Sequence, residues 1–265
     1  MIGFVGGGNM AEALIKGAVS SRQSVAGGLL VSEPREDRRA YLEQTYGIKT
    51  TSDNKKVAGS CNIIILAVKP QNMAAVLAEI AGEVTDEKTV VSIAAGITLS
   101  YLESRLKTKK LVRVMPNTPA LILEGMSVMS LCECFSDADI AAVREIFMSV
   151  GRVIIMPEKH MNAVTALSGS GPGFIALFAE GLIEAGMELG LAKPHAEELA
   201  VQTMLGTARL LDTGMSPQKL REMVTSPGGT TAAGLNVFEE KKLKPIVLDA
   251  LIAARDRAEE LGKKE

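Results

Sequence analysis

Ile2-Gly3-Phe4-Val5-Gly6-Gly7-Gly8-Asn9-Met10-Ala11 is the stretch that decides the fold. Residues 2–5 read as a short buried strand. Glycines follow at once, and residues 9–19 carry the apolar period of a helix. The spacing fits G-x-G-x-x-A. In that pattern Gly6 allows the tight turn and Gly8 lets the backbone approach a pyrophosphate. Ala11 lets the helix lie close on the strand, and the ligand's charge sits at the helix N-terminus. A plain strand–turn–helix connection is the bland alternative. The strand before, the helix after and a further strand at the expected distance favour a dinucleotide-binding unit.

Outward from this turn the chain alternates. Apolar runs recur at residues 29–31, 62–68, 89–93, 111–115, 126–131 and 152–156. Helix-compatible stretches lie between most of them, which predicts βαβ units and a mainly parallel sheet. The run Ile63-Ile64-Ile65-Leu66-Ala67-Val68 does not alternate with polar residues, as expected for a strand covered on both faces. After about residue 157 the pattern becomes purely helical. The expected architecture is therefore α/β: a doubly wound, Rossmann-like domain over residues 1–157 and an all-helical domain over 158–265. Residues 174–190 are apolar nearly all round, broken by Glu180, Glu184 and Glu188 on one stripe. Such a helix is either the central core helix of its domain or a face buried against a second copy, and the second reading predicts a homodimer. Residues 194–213 form another helix. Ile246, Ala250, Leu251, Ala254, Ala258 and Leu261 mark the inner face of a last one.

Composition narrows the function. The 265 residues are 47% hydrophobic, enough for a core. A net charge of -2 gives no basic footprint for nucleic acid, and 3% aromatics without Trp argue against base stacking. The longest charge-free apolar run, residues 161–179, contains Gly169, Gly171, Pro172 and Gly173 and does not read as a membrane span. No charged segment precedes the first strand, so no leader and a cytoplasmic location are expected. Three cysteines fit a reducing compartment. Cys132 and Cys134, two apart on one strand face, read as buried small hydrophobes, and no metal site is expected.

Candidate binding residues lie where the predicted strands end. After the second strand come Ser32-Glu33-Pro34-Arg35. An acid here takes ribose hydroxyls and favours NAD, whereas an Arg takes a 2′-phosphate and favours NADP. The chain offers both, and the preference stays open. Ala67-Val68-Lys69-Pro70 and Ala94-Ala95-Gly96 close the next two strands, on the edge where open α/β sheets bind ligands. In the helical half, Thr225-Ser226-Pro227-Gly228-Gly229-Thr230-Thr231-Ala232 leads into a helix. Its free amides could clamp a carboxylate, with Gly228 and Gly229 admitting a small ligand to the backbone. It could equally be an ordinary cap made by Thr230 or Thr231. Ser168-Gly169-Ser170-Gly171-Pro172-Gly173 is a second glycine-rich loop, either a close-packing turn or part of a cleft. His160 and His195 have no catalytic company, and the chain shows no Ser-His-Asp set and no paired nucleophilic Cys. The inventory suits a chemistry that needs little acid–base help.

The chain resembles the pyrroline-5-carboxylate reductase family nearly end to end. The resemblance rests on the opening decapeptide, on Ala67-Val68-Lys69-Pro70, on Met115-Pro116-Asn117-Thr118-Pro119, on Ser168-Gly169-Ser170-Gly171-Pro172 and on Ser226-Pro227-Gly228-Gly229-Thr230-Thr231. It implies a Rossmann domain followed by a helical domain that interlocks with a dimer mate. It implies reduction of 1-pyrroline-5-carboxylate to L-proline with NADPH or NADH, the last step of proline biosynthesis. Gly6, Gly8, Asn9, Met10, Ser32, Arg35, Ala67 to Pro70 and Ala94 to Gly96 are then cofactor-binding. Ser226, Gly228, Gly229, Thr230 and Thr231 are substrate-binding, with the Thr231 hydroxyl on the ring nitrogen as the catalytic contact. Many bacterial members carry Asn-Arg after the second strand, where this chain has Glu33-Pro34-Arg35. Two other readings are a hydroxyacid dehydrogenase and a non-catalytic nicotinamide-binding protein. The first generally wants a lysine on the helix after the sheet, and residues 163–173 contain none.

Overall fold

The computed structural model describes residues 1–21, 28–132 and 135–263. The first part alternates: β1 (Ile2–Val5), α1 (Asn9–Ser20), β2 (Leu29–Ser32), α2 (Glu36–Tyr46), β3 (Lys49–Thr51), α3 (Asn54–Ser60), β4 (Ile63–Leu66) and α4 (Met73–Ile80). It continues with β5 (Thr89–Ser92), α5 (Leu99–Glu103), β6 (Leu111–Met115), β7 (Gly125–Leu131), α6 (Asp137–Met148) and β8 (Gly151–Ile155). The eight strands form one sheet in the order β3-β2-β1-β4-β5-β6-β7-β8. All neighbours are parallel except β6 and β7. β3 was not expected from the sequence: its Lys49-Thr50-Thr51 is short, polar and at the sheet's edge, so it carries no apolar run.

Register sorts the strand residues onto two faces. Phe4 stands opposite Val31 and Ile65, and Ile65 opposite Val91. These four share a core with Leu14 and Ile15 of α1 and Phe147 of α6. Val5, Leu30, Ile64, Leu66 and Val90 point the other way and pack with Leu77 and Ile80 of α4. Both faces are covered, which explains the unbroken apolar runs. Each large side chain fully buried this way contributes about 1.5–3 kcal/mol. Cys132 is half-buried rather than in the core, and Cys134 lies outside the described residues.

Six helices follow: α7 (Met161–Val164), α8 (Gly171–Glu188), α9 (Lys193–Asp212), α10 (Pro217–Met223), α11 (Thr230–Glu240) and α12 (Leu243–Lys263). A wide π-type turn, Thr165–Gly169, and the start of α8 at Gly171 take up the segment 168–173 that the sequence reads as a loop. The chain divides into two compact units, Met1–Ser170 with the chain from Ala253 onward, and Gly171–Ile252. Arg113 of β6, only 5% exposed, ion-pairs with Glu158 at 3.2 Å, and Glu158 also accepts the amide of Leu99 at 2.8 Å. That contact ties the start of α5 to the sheet within the first unit.

The second unit has little core of its own. Among the described residues its buried hydrophobic side chains are Ala196 and Ala200. α8 buries none, so it is not a central core helix, and Ile175 and Leu177 are 59% and 68% exposed. Of the apolar face expected on α12, Ala258 is buried while Ile246 is exposed. By length and composition the helical run Glu158–Glu188 would suffice to cross a membrane, which the sequence reading had discounted for residues 161–179.

Candidate active site

The strand order reverses between β1 and β4, and ligands of open α/β sheets bind outside the carboxyl ends at such a point. The glycine turn lies there. Gly6 has φ +100°, a conformation that side chains strain, and its amide donates to the Ser32 carbonyl at 2.8 Å. A Cβ on Gly6 would meet the Ala67 carbonyl oxygen at 2.8 Å, so the turn and the end of β4 are in backbone contact. Gly7 donates its amide to Glu33 Oε2 at 3.1 Å. Gly8 is the N-cap of α1 with extended backbone, and nothing lies within 4 Å of a Cβ built on it. The open side of the turn thus faces free space in front of a helix N-terminus. That cradle fits a pyrophosphate.

A cleft of about 560 Å³ continues from this space. It is lined by Gly8, Asn9 and Met10 of the turn, by Ala67, Val68, Lys69 and Pro70 after β4, and by Ala94 and Ala95 after β5. Those expected residues are brought together. Met115 at the end of β6 and Pro116, Asn117 and Thr118 after it complete the wall with Ile93 and Gly169. Met115-Pro116-Asn117-Thr118 is a motif of the sequence that carries no site assignment from spacing alone. Its position after a strand of the same sheet was the available signal. Asn117 is held from both ends: its Oδ1 accepts the Met126 amide at 2.8 Å, and its Nδ2 donates to Ser168 Oγ at 3.3 Å. A Cβ on Gly169 would collide with Met115 Cε at 2.5 Å, so the second glycine-rich segment packs closely on the cleft wall.

Three expected cofactor residues stand elsewhere. Ser32 is fully buried and donates its hydroxyl to the Phe4 carbonyl at 3.3 Å. Gly96 is buried against the end of α12, where a Cβ would meet Gly262 N at 3.0 Å. Arg35 turns its Nε to Glu33 Oε1 at 3.2 Å. Around the turn, Arg38 donates from Nε to the Gly7 carbonyl at 2.7 Å and ion-pairs with Glu12 of α1. Tyr41 and Tyr46 both donate to Glu12 Oε1. Burial and the neighbouring Glu12 carboxylate push the Tyr46 phenol well above its ordinary range. It remains a donor at any working pH. His160 and His195 are exposed.

In the second unit the segment leading into α11 has a definite backbone geometry. Gly228 adopts φ +69°, and Gly229 is the N-cap of α11. The Gly229 amide donates to the Ser226 carbonyl at 3.0 Å, and Ala233 closes the first helical turn on the Gly229 carbonyl at 3.1 Å. Thr230 and Thr231 occupy the first two helical positions, so neither is the cap that the alternative required. The amides of Thr230, Thr231 and Ala232 precede the first i−4 bond and have no carbonyl within the helix to reach.

A doubly wound sheet with an open glycine turn at its switch point, followed by a helical unit, defines a dinucleotide-binding protein of the two-domain reductase and dehydrogenase class. Residues 158–261 match the family "pyrroline-5-carboxylate reductase dimerisation", and residues 1–96 match "NADP oxidoreductase coenzyme F420-dependent". The pyrroline-5-carboxylate reductase of Synechocystis sp. is 39% identical, over 99% of this chain and 98% of its own. That of Methanosarcina acetivorans is 40% identical, over 99% and 98%. The solved structure of a pyrroline-5-carboxylate reductase from Coxiella burnetii aligns with a TM-score of 0.89 at 37% identity, covering 98% of this chain and 97% of that one. The chain belongs to the pyrroline-5-carboxylate reductase family. A Plasmodium falciparum pyrroline carboxylate reductase crystallised with NADP bound matches equally well in fold, with a TM-score of 0.89 at 32% identity over 98% and 97% of the two chains.

Proposed function

We propose that this protein reduces 1-pyrroline-5-carboxylate to L-proline with NADPH or NADH. The observation that carries the reading is the open cradle at Gly8 in a chain whose full length matches these reductases. The reduced nicotinamide supplies the hydride. The substrate is a cyclic imine bearing a carboxylate. In its protonated form the C=N carbon accepts hydride, the π pair moves to nitrogen, and the product is a secondary amine. No strong general acid is required, in keeping with exposed, isolated histidines.

The chain's own groups bind and orient. Gly6, Gly8, Asn9 and Met10 would hold the pyrophosphate, while Ala67 to Pro70, Ala94 and Ala95 would line the remainder of the dinucleotide. Ser226, Gly228, Gly229 and Thr230 hold the substrate carboxylate through the amide end of α11. The Thr231 hydroxyl accepts the ring N–H. Catalysis of this kind rests on proximity and orientation rather than on acid–base chemistry. In this reading residues 1–157 serve the cofactor, and residues 158–265 serve substrate and dimerisation. The bare apolar helices of the second unit are covered by a second copy rather than by lipid, in a cytoplasmic homodimer or an assembly of dimers without nucleic acid. The test is oxidation of NAD(P)H by purified protein, which should require pyrroline-5-carboxylate and yield proline. Oxidation with a 2-keto acid instead would point to a dehydrogenase of the same architecture. Binding without turnover would point to a non-catalytic protein.

A further inference from the structure

We infer that Glu33 selects against a 2′-phosphate, so that this chain favours NADH over NADPH. The inference deepens the reductase reading and rests on it. Guanidinium groups after the second strand serve a 2′-phosphate in NADP-dependent proteins of this fold. Arg35, Arg38 and Arg39 stand in that region, and each has at least one guanidinium N–H bonded within the chain. Arg39 Nη1 donates to the carbonyls of Glu33 and Pro34 at 2.9 and 2.8 Å. Arg38 is held between Gly7 and Glu12. Arg35 points its Nε at the Glu33 carboxylate.

That carboxylate is the fixed feature. The Glu33 side chain is 9% exposed. Its Oε2 takes the Gly7 amide at 3.1 Å, and its Oε1 takes the Arg35 amide and Nε at 3.2 Å each. Gly7 immediately precedes Gly8, so the acid is anchored on the turn that receives the pyrophosphate. A carboxylate has about four acceptor sites. Three are used, which leaves capacity for one hydroxyl donor, the match for a ribose diol. A 2′-phosphate has no such donor to offer when ionised. It would place negative charge beside a buried carboxylate, where water screens the repulsion poorly. Arg35 is 62% exposed, and its charge is already shared with the Glu33 carboxylate that a 2′-phosphate would have to approach.

The test is equilibrium binding of NADH and NADPH to the whole protein, read by nicotinamide fluorescence without substrate and paired with kcat/KM for each. Wild type should bind NADH at least about tenfold more tightly. Glu33→Gln keeps the shape and an oxygen for the Gly7 amide but removes the charge. It should improve NADPH binding about tenfold with NADH unchanged or weaker. Glu33→Ser removes the charge with a smaller side chain and should shift the ratio the same way, which covers the case of a misfolded glutamine variant. Equal changes for both cofactors would make Glu33 a prop for the turn and overturn the inference, as would a wild-type preference for NADPH. Binding of neither cofactor would overturn the reductase reading itself, and the inference with it.

Discussion

Arg38 and Glu12 clamp the glycine turn from outside: the Arg38 guanidinium ion-pairs with the Glu12 carboxylate and donates to the Gly7 carbonyl at 2.7 Å. Burial alone would raise the Glu12 pKa. Hydrogen bonds from Arg38, Tyr46 and Tyr41 and the charge of Arg38 outweigh it and hold the carboxyl below its ordinary 4.5. The folded-state pKa is thus depressed, so the unfolded chain takes up the proton first. The group's contribution is complete above about pH 4.5 and is lost as pH falls through the folded value. Glu12→Gln should cost about 1.5–3 kcal/mol near neutral pH, the range for hydrogen bonds to charged groups. Denaturant melts of both proteins from pH 7 downward check this. The gap should close at acid pH, and a gap independent of pH would remove Glu12 from the account.

Gly8→Asp should abolish dinucleotide binding in a protein that still folds. The backbone at Gly8 is extended and free space surrounds the new Cβ, so the side chain fits. Its carboxylate then occupies the pyrophosphate's place. Like-charge juxtaposition costs several kcal/mol, so affinity should fall at least about a hundredfold. Calorimetric titration gives the affinity and a melting curve gives the fold. Normal binding in the variant would remove the turn from the cofactor site.

Thr231→Val should lower kcat/KM by about ten- to a hundredfold, corresponding to about 1–3 kcal/mol for a polar partner left unpaired. Cofactor affinity should not change, because the cofactor-side residues belong to the other unit. Thr230→Val is the control and should be mild. Steady-state kinetics and melting temperature on both variants decide the matter. An early-melting Thr231→Val with normal turnover would give this hydroxyl a structural role only.

Static light scattering at micromolar concentration should show a dimer or a multiple of it. Leu177→Glu adds a charge to an apolar stretch of α8 at a position that is 68% exposed. It should shift the protein toward monomer without loss of helix by circular dichroism. A wild-type monomer would leave the bare helices of the second unit without explanation.

The sheet was legible where burial on both faces writes an unbroken apolar run, as at Ile63–Leu66, and illegible where it does not. β3 is polar because it forms the edge. The antiparallel β7 has no compositional mark, since direction is set by connection and not by side chain. Half of the cleft was readable because a glycine turn needs particular residues at particular spacing. Ser32 and Gly96 lay at the right strand ends, but facing is decided by register and neighbours: one hydroxyl turns to Phe4 and one Cα faces Gly262. Asn117 was missed as a site residue because an asparagine after a strand is common, and only its double hydrogen bonding shows that it is fixed. At Thr230 and Thr231 the cap falls one residue earlier, on Gly229, a matter of helix phase that spacing cannot supply.

Gly96 also meets the last turns of α12, a helix whose residues from Ala253 on belong to the sheet's own unit. The two elements are separated in the order of synthesis by residues 97–252, which include the whole of the second unit. On the ribosome, where domains generally fold as they emerge, the nucleotide-side unit therefore stays unfinished until the helical one has been made. A nascent chain arrested anywhere before Ala253 exposes the backbone at Gly96.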